Sequence, residues 1–142
     1  MEHPKDIGDK STLAIMLALR LHCYALLMPF GENTRYDLVI DNGSCLRRVQ
    51  CKTGRLRNGV VLFATCSSYA HHGSTAKPRR DYRGEVDDFA VFCRELGAVY
   101  LIPIEDLDVR NQGSLRVDPP VNGQRKNVRF ASAYEIARID LY

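Results

Sequence analysis

The stretch from Arg35 to Arg57 constrains this chain most, because it reads as a β-hairpin with its polar groups gathered on one side. Its first arm is Arg35-Tyr36-Asp37-Leu38-Val39-Ile40-Asp41, and its second runs through Val49-Gln50-Cys51-Lys52. Between them lies Asn42-Gly43, a strong turn signal because Asn and Gly accept positive φ cheaply. Alternation predicts Tyr36, Leu38 and Ile40 on one face of the first arm, with Arg35, Asp37, Val39 and Asp41 on the other. On the second arm it sets Val49 and Cys51 against Arg48, Gln50 and Lys52. A two-residue turn at Asn42-Gly43 places Asp37 opposite Arg48, and a four-residue loop from Asn42 to Cys45 places it opposite Gln50. Both registers bring Asp37, Gln50 and Lys52 to one face, because side chains alternate with period two; a three-residue loop would separate them.

The chain has 142 residues, enough for a single domain spanning 1–142 with a sizeable core. The longest apolar run, Leu13 to Leu19, is too short to span a membrane, and the amino terminus lacks the layout of a secretory signal. Five cysteines with no C-x-x-C pair predict reduced thiols in an intracellular protein, most of them packed as small hydrophobes. The net charge of +3 says little, but its distribution is uneven. From Asn42 to Arg80 there are eight Lys or Arg and no acid; from Glu85 to Asp108 there are seven acids and one base, Arg94. The basic stretch suits a polyanion, although a solvated charged face is the plainer reading of such a run.

Taken in order, Lys5 to Met28 should start with a helix, capped by Asp6 or Asp9 and ended ahead of Pro29. Its run Leu13-Ala-Ile-Met-Leu-Ala-Leu is apolar nearly all round, which predicts burial by a sheet or by another subunit. Gly59 to Cys66 reads as a third, central strand, and Ser67 to Gly84 as a long polar, basic loop. Val86–Cys93 and Ala98–Ile104 read as two further strands, with a helix around Glu85 to Glu95 as the competing assignment for the first. Leu115-Arg116-Val117 reads as a brief strand, and Phe130 to Ile139 as a short closing helix.

Asp37 followed by Gln50-Cys51-Lys52 resembles the PD-(D/E)XK nuclease signature in its variant with Gln for the second acid. Longer strings sharpen the likeness: Gly31-Glu32-Asn33-Thr34-Arg35-Tyr36-Asp37-Leu38, Gln50-Cys51-Lys52-Thr53-Gly54-Arg55, and Gly84-Glu85-Val86-Asp87-Asp88-Phe89-Ala90-Val91-Phe92 with Val99-Tyr100-Leu101-Ile102-Pro103. Together they resemble the group I intron-associated homing endonucleases of that superfamily. The resemblance implies an α/β (α+β) restriction-endonuclease-like core, a mixed sheet of about five strands flanked by helices. It also implies an Mg²⁺-dependent, sequence-specific endonuclease acting on double-stranded DNA as a homo-oligomer, dimer or tetramer, with no membrane association.

On that resemblance Asp37 is the central metal ligand, the backbone carbonyl of Cys51 a second, and Asp9, which follows an Ile7-Gly8 pair, a third. Capping is the competing role for Asp9. Gln50 and Lys52 complete the catalytic set, Lys52 by positioning or deprotonating water or by stabilising the crowded phosphate. Arg55, Arg57, His71, Lys77, Arg79 and Arg80 are the expected DNA contacts, joined by Gln124, Arg125 and Lys126. Tyr36 stands where the signature has Pro, and Gln50 where most members have an acid. Two rivals remain: a Holliday-junction resolvase or other structure-selective nuclease on the same fold, and a non-catalytic DNA-binding protein.

Overall fold

Pro4 opens the helix α1 (Pro4–Leu21), its ring presetting φ for the first turn. The cap is His3, not the expected aspartates: its Nδ1 accepts from the Lys5 backbone N–H at 3.2 Å. Asp6 lies inside the first turn, where a carboxylate favours the helix dipole. The helix ends at Leu21, well ahead of Pro29, because Cys23 adopts a left-handed φ of 66° and Tyr24 N–H turns back to the Leu19 carbonyl at 3.1 Å. The computed structural model describes residues 1–67, 80–82, 84–107, 112–119, 122–123 and 128–140.

The strands are β1 (Ala25–Leu27), β2 (Leu38–Asp41), β3 (Leu46–Arg57), β4 (Val60–Ala64), β5 (Cys66–Ser67), β6 (Arg80–Asp81), β7 (Asp88–Cys93), β8 (Ala98–Pro103), β9 (Gln112–Arg116) and β10 (Glu135–Arg138). The main sheet runs β1-β2-β3-β7-β8-β10, with β4 pairing the far end of β3 and β9 pairing β4. It therefore has eight strands among the described residues rather than about five, but it is mixed as expected: β3 and β7 are parallel and the other pairs antiparallel. β5 and β6 form a separate two-stranded ribbon that ties the ends of the expected 67–84 loop.

β4 is flanked on both sides, but by β3 and β9 on a limb of the sheet, away from its middle. The strand reading of 86–93 holds over its helical rival: all six residues of β7 are buried, as a strand covered on both faces requires. The closing helix at 130–139 is instead a 3₁₀ turn (Ala131–Ala133) followed by β10. The segment is short for a stable helix, and the edge of β8 offers it a ladder of backbone partners.

The register follows from loop chemistry. Asn42 Oδ1 accepts from the backbone N–H groups of Ser44 and Cys45, both at 2.9 Å, and Gly43 takes a φ of 91°. This holds the loop from Asn42 to Cys45 at four residues, so that Leu38 pairs Val49 and Asp41 pairs Leu46. The two-residue turn lies further on, at Asn58-Gly59, where φ values of 51° and 77° match a type I′ hairpin and Arg57 pairs Val60.

Alternation then sorts the core. Leu38, Ile40, Val49, Ala90 and Phe92 meet Ala14, Ile15, Ala18 and Leu19 of α1. On the opposite face Phe89, Val91 and Tyr100 pack with Val61 and Phe63 of β4, Leu115 of β9, and Tyr82. Tyr36 joins this second cluster, not the face of Leu38 and Ile40, because it precedes β2 and the alternation does not reach it. Among the described residues no helix is long and apolar enough to cross a membrane.

The acid-rich and base-rich stretches meet in space. Arg47 grips Asp88 with Nε to Oδ2 at 2.7 Å and Nη2 to Oδ1 at 2.9 Å, and Asp88 is only 2% exposed. That partner holds the Arg47 guanidinium above its usual range. Arg48 binds Asp87 through its backbone N–H at 2.8 Å and through its guanidinium at 3.1 and 3.2 Å, keeping the Asp87 carboxyl below the usual range. These two arginines serve the fold rather than a polyanion. Arg47→Ala strips both guanidinium bonds from a buried carboxylate and should cost about 3–5 kcal/mol in urea unfolding.

Candidate active site

The pairing of β2 with β3 ends at Leu38 and Val49, and Asp37 takes over the next positions. Its backbone N–H donates to the Val49 carbonyl at 2.8 Å, and its Oδ2 accepts from the Cys51 N–H at 2.8 Å. A carboxylate thus fills the rung that the β2 backbone would fill if the strand continued. In an extended strand the N–H and C=O of one residue point to the same edge. The Cys51 carbonyl therefore faces the edge where the Asp37 carboxylate sits.

Asp37 is half-buried, and burial pushes its carboxyl above the usual carboxylate range, although the Cys51 N–H and the charge of Lys52 pull the other way. A desolvated carboxylate next to an open edge suits a cation. The Cys51 side chain turns toward α1, where it packs with the helix-facing cluster, and burial pushes its thiol far above the normal range. It has no thiolate chemistry to offer near neutrality. One step along, Thr53 Oγ1 and Ser11 Oγ lie 2.6 Å apart, which ties α1 to β3.

Lys52 projects to the other face, as does Gln50 by the period of two. Lys52 Nζ donates to the hydroxyl of Tyr82 at 3.3 Å and stands 4.9 Å from the centre of its ring. The Arg35 guanidinium carbon is 4.0 Å from the same ring centre, and Arg35 pairs with Glu85 at 3.5 Å. Tyr82 lay unremarked as a site residue in the expected loop; its only signal was an aromatic amid basic residues.

The fold brings Asp37, Gln50, Cys51 and Lys52 together but does not bring Asp9 to them. Asp9 is exposed, and at about 100° per residue it stands about 200° around the helix from Ser11, which faces β3. Among the described residues no group of three or more His, Cys, Asp or Glu side chains is placed to share an ion. The donors on offer are therefore one carboxylate, the Cys51 carbonyl and the Gln50 amide oxygen. Such hard oxygens fit Mg²⁺, which keeps several of its waters.

Arg55 and Arg57, on the far half of β3, line a cleft of about 370 Å³ with Gly8 of α1 and Arg94. Arg80 lies in β6, with its side chain outside the described residues; His71, Lys77, Arg79, Gln124, Arg125 and Lys126 lie outside them altogether.

No curated protein sequence matches this chain. Among solved structures, a bacterial homing endonuclease, I-Ssp6803I, superposes with a TM-score of 0.69 at 25% identity, over 94% of this chain and 89% of that one. The PD-(D/E)XK endonuclease profile matches residues 2–137. A match over nearly the whole length identifies this chain as a member of the PD-(D/E)XK endonuclease family.

Proposed function

We propose that this nuclease is a metal-dependent, sequence-specific endonuclease that cuts double-stranded DNA, of the homing type. The observation that carries the proposal is the Asp37 carboxylate docked on the Cys51 N–H, one strand away from the Lys52 ammonium. Asp37 and the Cys51 carbonyl would hold Mg²⁺, with the Gln50 amide oxygen as a further donor. An ion held there would supply charge neutralisation at the scissile phosphate and acidification of a water. As a neutral amine Lys52 would take the water's proton; as an ammonium it would instead stabilise the charge that builds on the phosphate. With Gln in place of an acid, Asp37 is the one carboxylate at this edge among the described residues. Asp9, on the outer side of α1, has no part in the proposal.

Arg55 and Arg57, which line the cleft beside α1, would meet phosphates. Of the basic residues expected to do so, Lys77, Arg79, Arg80, Arg125 and Lys126 carry the same role as proposals, with His71 and Gln124. One centre per chain cuts one strand, so cleaving a duplex calls for at least two copies. The outer stripe of α1 supports self-association: Leu13, Leu17 and Leu21 are 63%, 48% and 63% exposed at helical i, i+4, i+8 spacing.

The activity test is cleavage of a duplex library, and of branched DNA, in Mg²⁺. Wild type should cut linear duplex at a defined sequence, and Asp37→Ala and Lys52→Ala should each lose about 10²–10⁴-fold in rate while duplex affinity changes less than about threefold. Cutting of branched DNA irrespective of sequence would favour a resolvase. Wild type and variants equally inert on both substrates would leave a DNA-binding protein.

A second test uses stability. The folded state holds the Asp37 proton to higher pH than the unfolded chain does. The penalty is therefore absent below the unfolded value, grows as pH rises through the window between the two, and is complete above the folded value. Metal-free Asp37→Asn at pH 7 should melt about 1–3 °C above wild type. Adding Mg²⁺ should raise the wild-type melting temperature and leave that of the variant unchanged.

A further inference from the structure

We infer that Tyr82 is a positioning residue for Lys52, holding the ammonium at the catalytic edge through its hydroxyl; the inference rests on the nuclease reading above. Lysine carries a compact charge on a flexible four-carbon stem, so its placement depends on what it is bonded to. The Tyr82 hydroxyl supplies that bond at 3.3 Å.

Tyr82 is itself fixed. It is 5% exposed, its ring meets Phe89 edge-on at 5.5 Å and 90°, and the Arg35 guanidinium covers it at 4.0 Å. Its backbone carbonyl accepts from the N–H groups of Glu85 and Val86, each at 3.1 Å. The anchor therefore belongs to the turn that leads into β7, while the lysine belongs to β3.

The chemistry of the anchor suits the task. A phenol accepts from an ammonium and donates to a neutral amine, so it holds Nζ before and after a proton is taken up. It is also uncharged, which leaves the positive charge of Lys52 available to Asp37 and to a phosphate. A carboxylate in the same place would neutralise that charge and could only accept. The competing explanation is that Tyr82 is a core residue whose hydroxyl merely needs a partner.

Tyr82→Phe separates the two, because it keeps the ring, its contact with Phe89 and its contact with Arg35 while removing one oxygen. The readouts are kcat and KM on the cleaved duplex, duplex affinity, the melting temperature, and the ¹⁵N–¹H NMR signal of the Lys52 ammonium in metal-free protein. The inference expects kcat to fall about tenfold, with KM and affinity within about twofold. The melting temperature should stay close to wild type, and the Lys52 signal should shift and exchange faster with water. An unchanged kcat overturns the inference whatever the NMR signal does, and so does an unchanged Lys52 signal. A loss that appears in affinity rather than kcat overturns it as well, because the hydroxyl would then be touching DNA. A wild type that cuts no DNA would overturn the nuclease reading instead, and the Lys52 signal would still report on whether Tyr82 holds the ammonium.

Discussion

The hydrogen bond from the Cys51 N–H to Asp37 Oδ2 is the contact on which this architecture turns. It replaces a backbone rung with a carboxylate at the point where β2 gives out. A main-chain partner there would leave an ordinary hairpin. With a side chain in its place, the edge of β3 carries a desolvated anion, a carbonyl pointing the same way, and an ammonium one residue along. Every other feature of the centre depends on that substitution being in register. The register in turn depends on Asn42, whose side-chain oxygen gathers the N–H groups of Ser44 and Cys45 and holds the loop at four residues.

β3 is also the structural axis. Its twelve residues pair β2 on one side, β7 in parallel on the other, and β4 at the far end. Gly54 marks the crossing: a Cβ there would sit 2.7 Å from Val61 and 2.8 Å from Val91, so the limb carrying β4 packs over β7 only because that position is bare. The same strand holds Lys52 and the two arginines of the cleft beside α1. Chemistry and the proposed DNA contacts thus share one rigid element, an arrangement that favours precise geometry.

The hairpin and the turn of Lys52 away from the Cys51 side were legible because they rest on short-range rules, turn chemistry and period two; the mixed sheet was legible only through the family resemblance. What was not legible depended on distant partners. Arg47 and Arg48 belong to an acid-free run that suited a polyanion, but Asp87 and Asp88, at the start of the neighbouring strand, claim both. The closing segment became a strand because β8 had an open edge, which its own sequence does not disclose. Asp9 followed a familiar dipeptide, yet the phase of the helix turns it away from the sheet. Tyr82 was hidden because its importance comes from Lys52 and Arg35, which are far from it in the chain.

The central claim is that Asp37 and the Cys51 carbonyl form one edge for a divalent ion within reach of Lys52. Anomalous scattering from crystals soaked in Mn²⁺ tests it most directly. The account predicts a peak at bonding distance from Asp37 Oδ1 and from the Cys51 carbonyl oxygen, absent in Asp37→Ala crystals. A peak that persists in the variant, or that lies on the outer side of α1 beside Asp9, would contradict it.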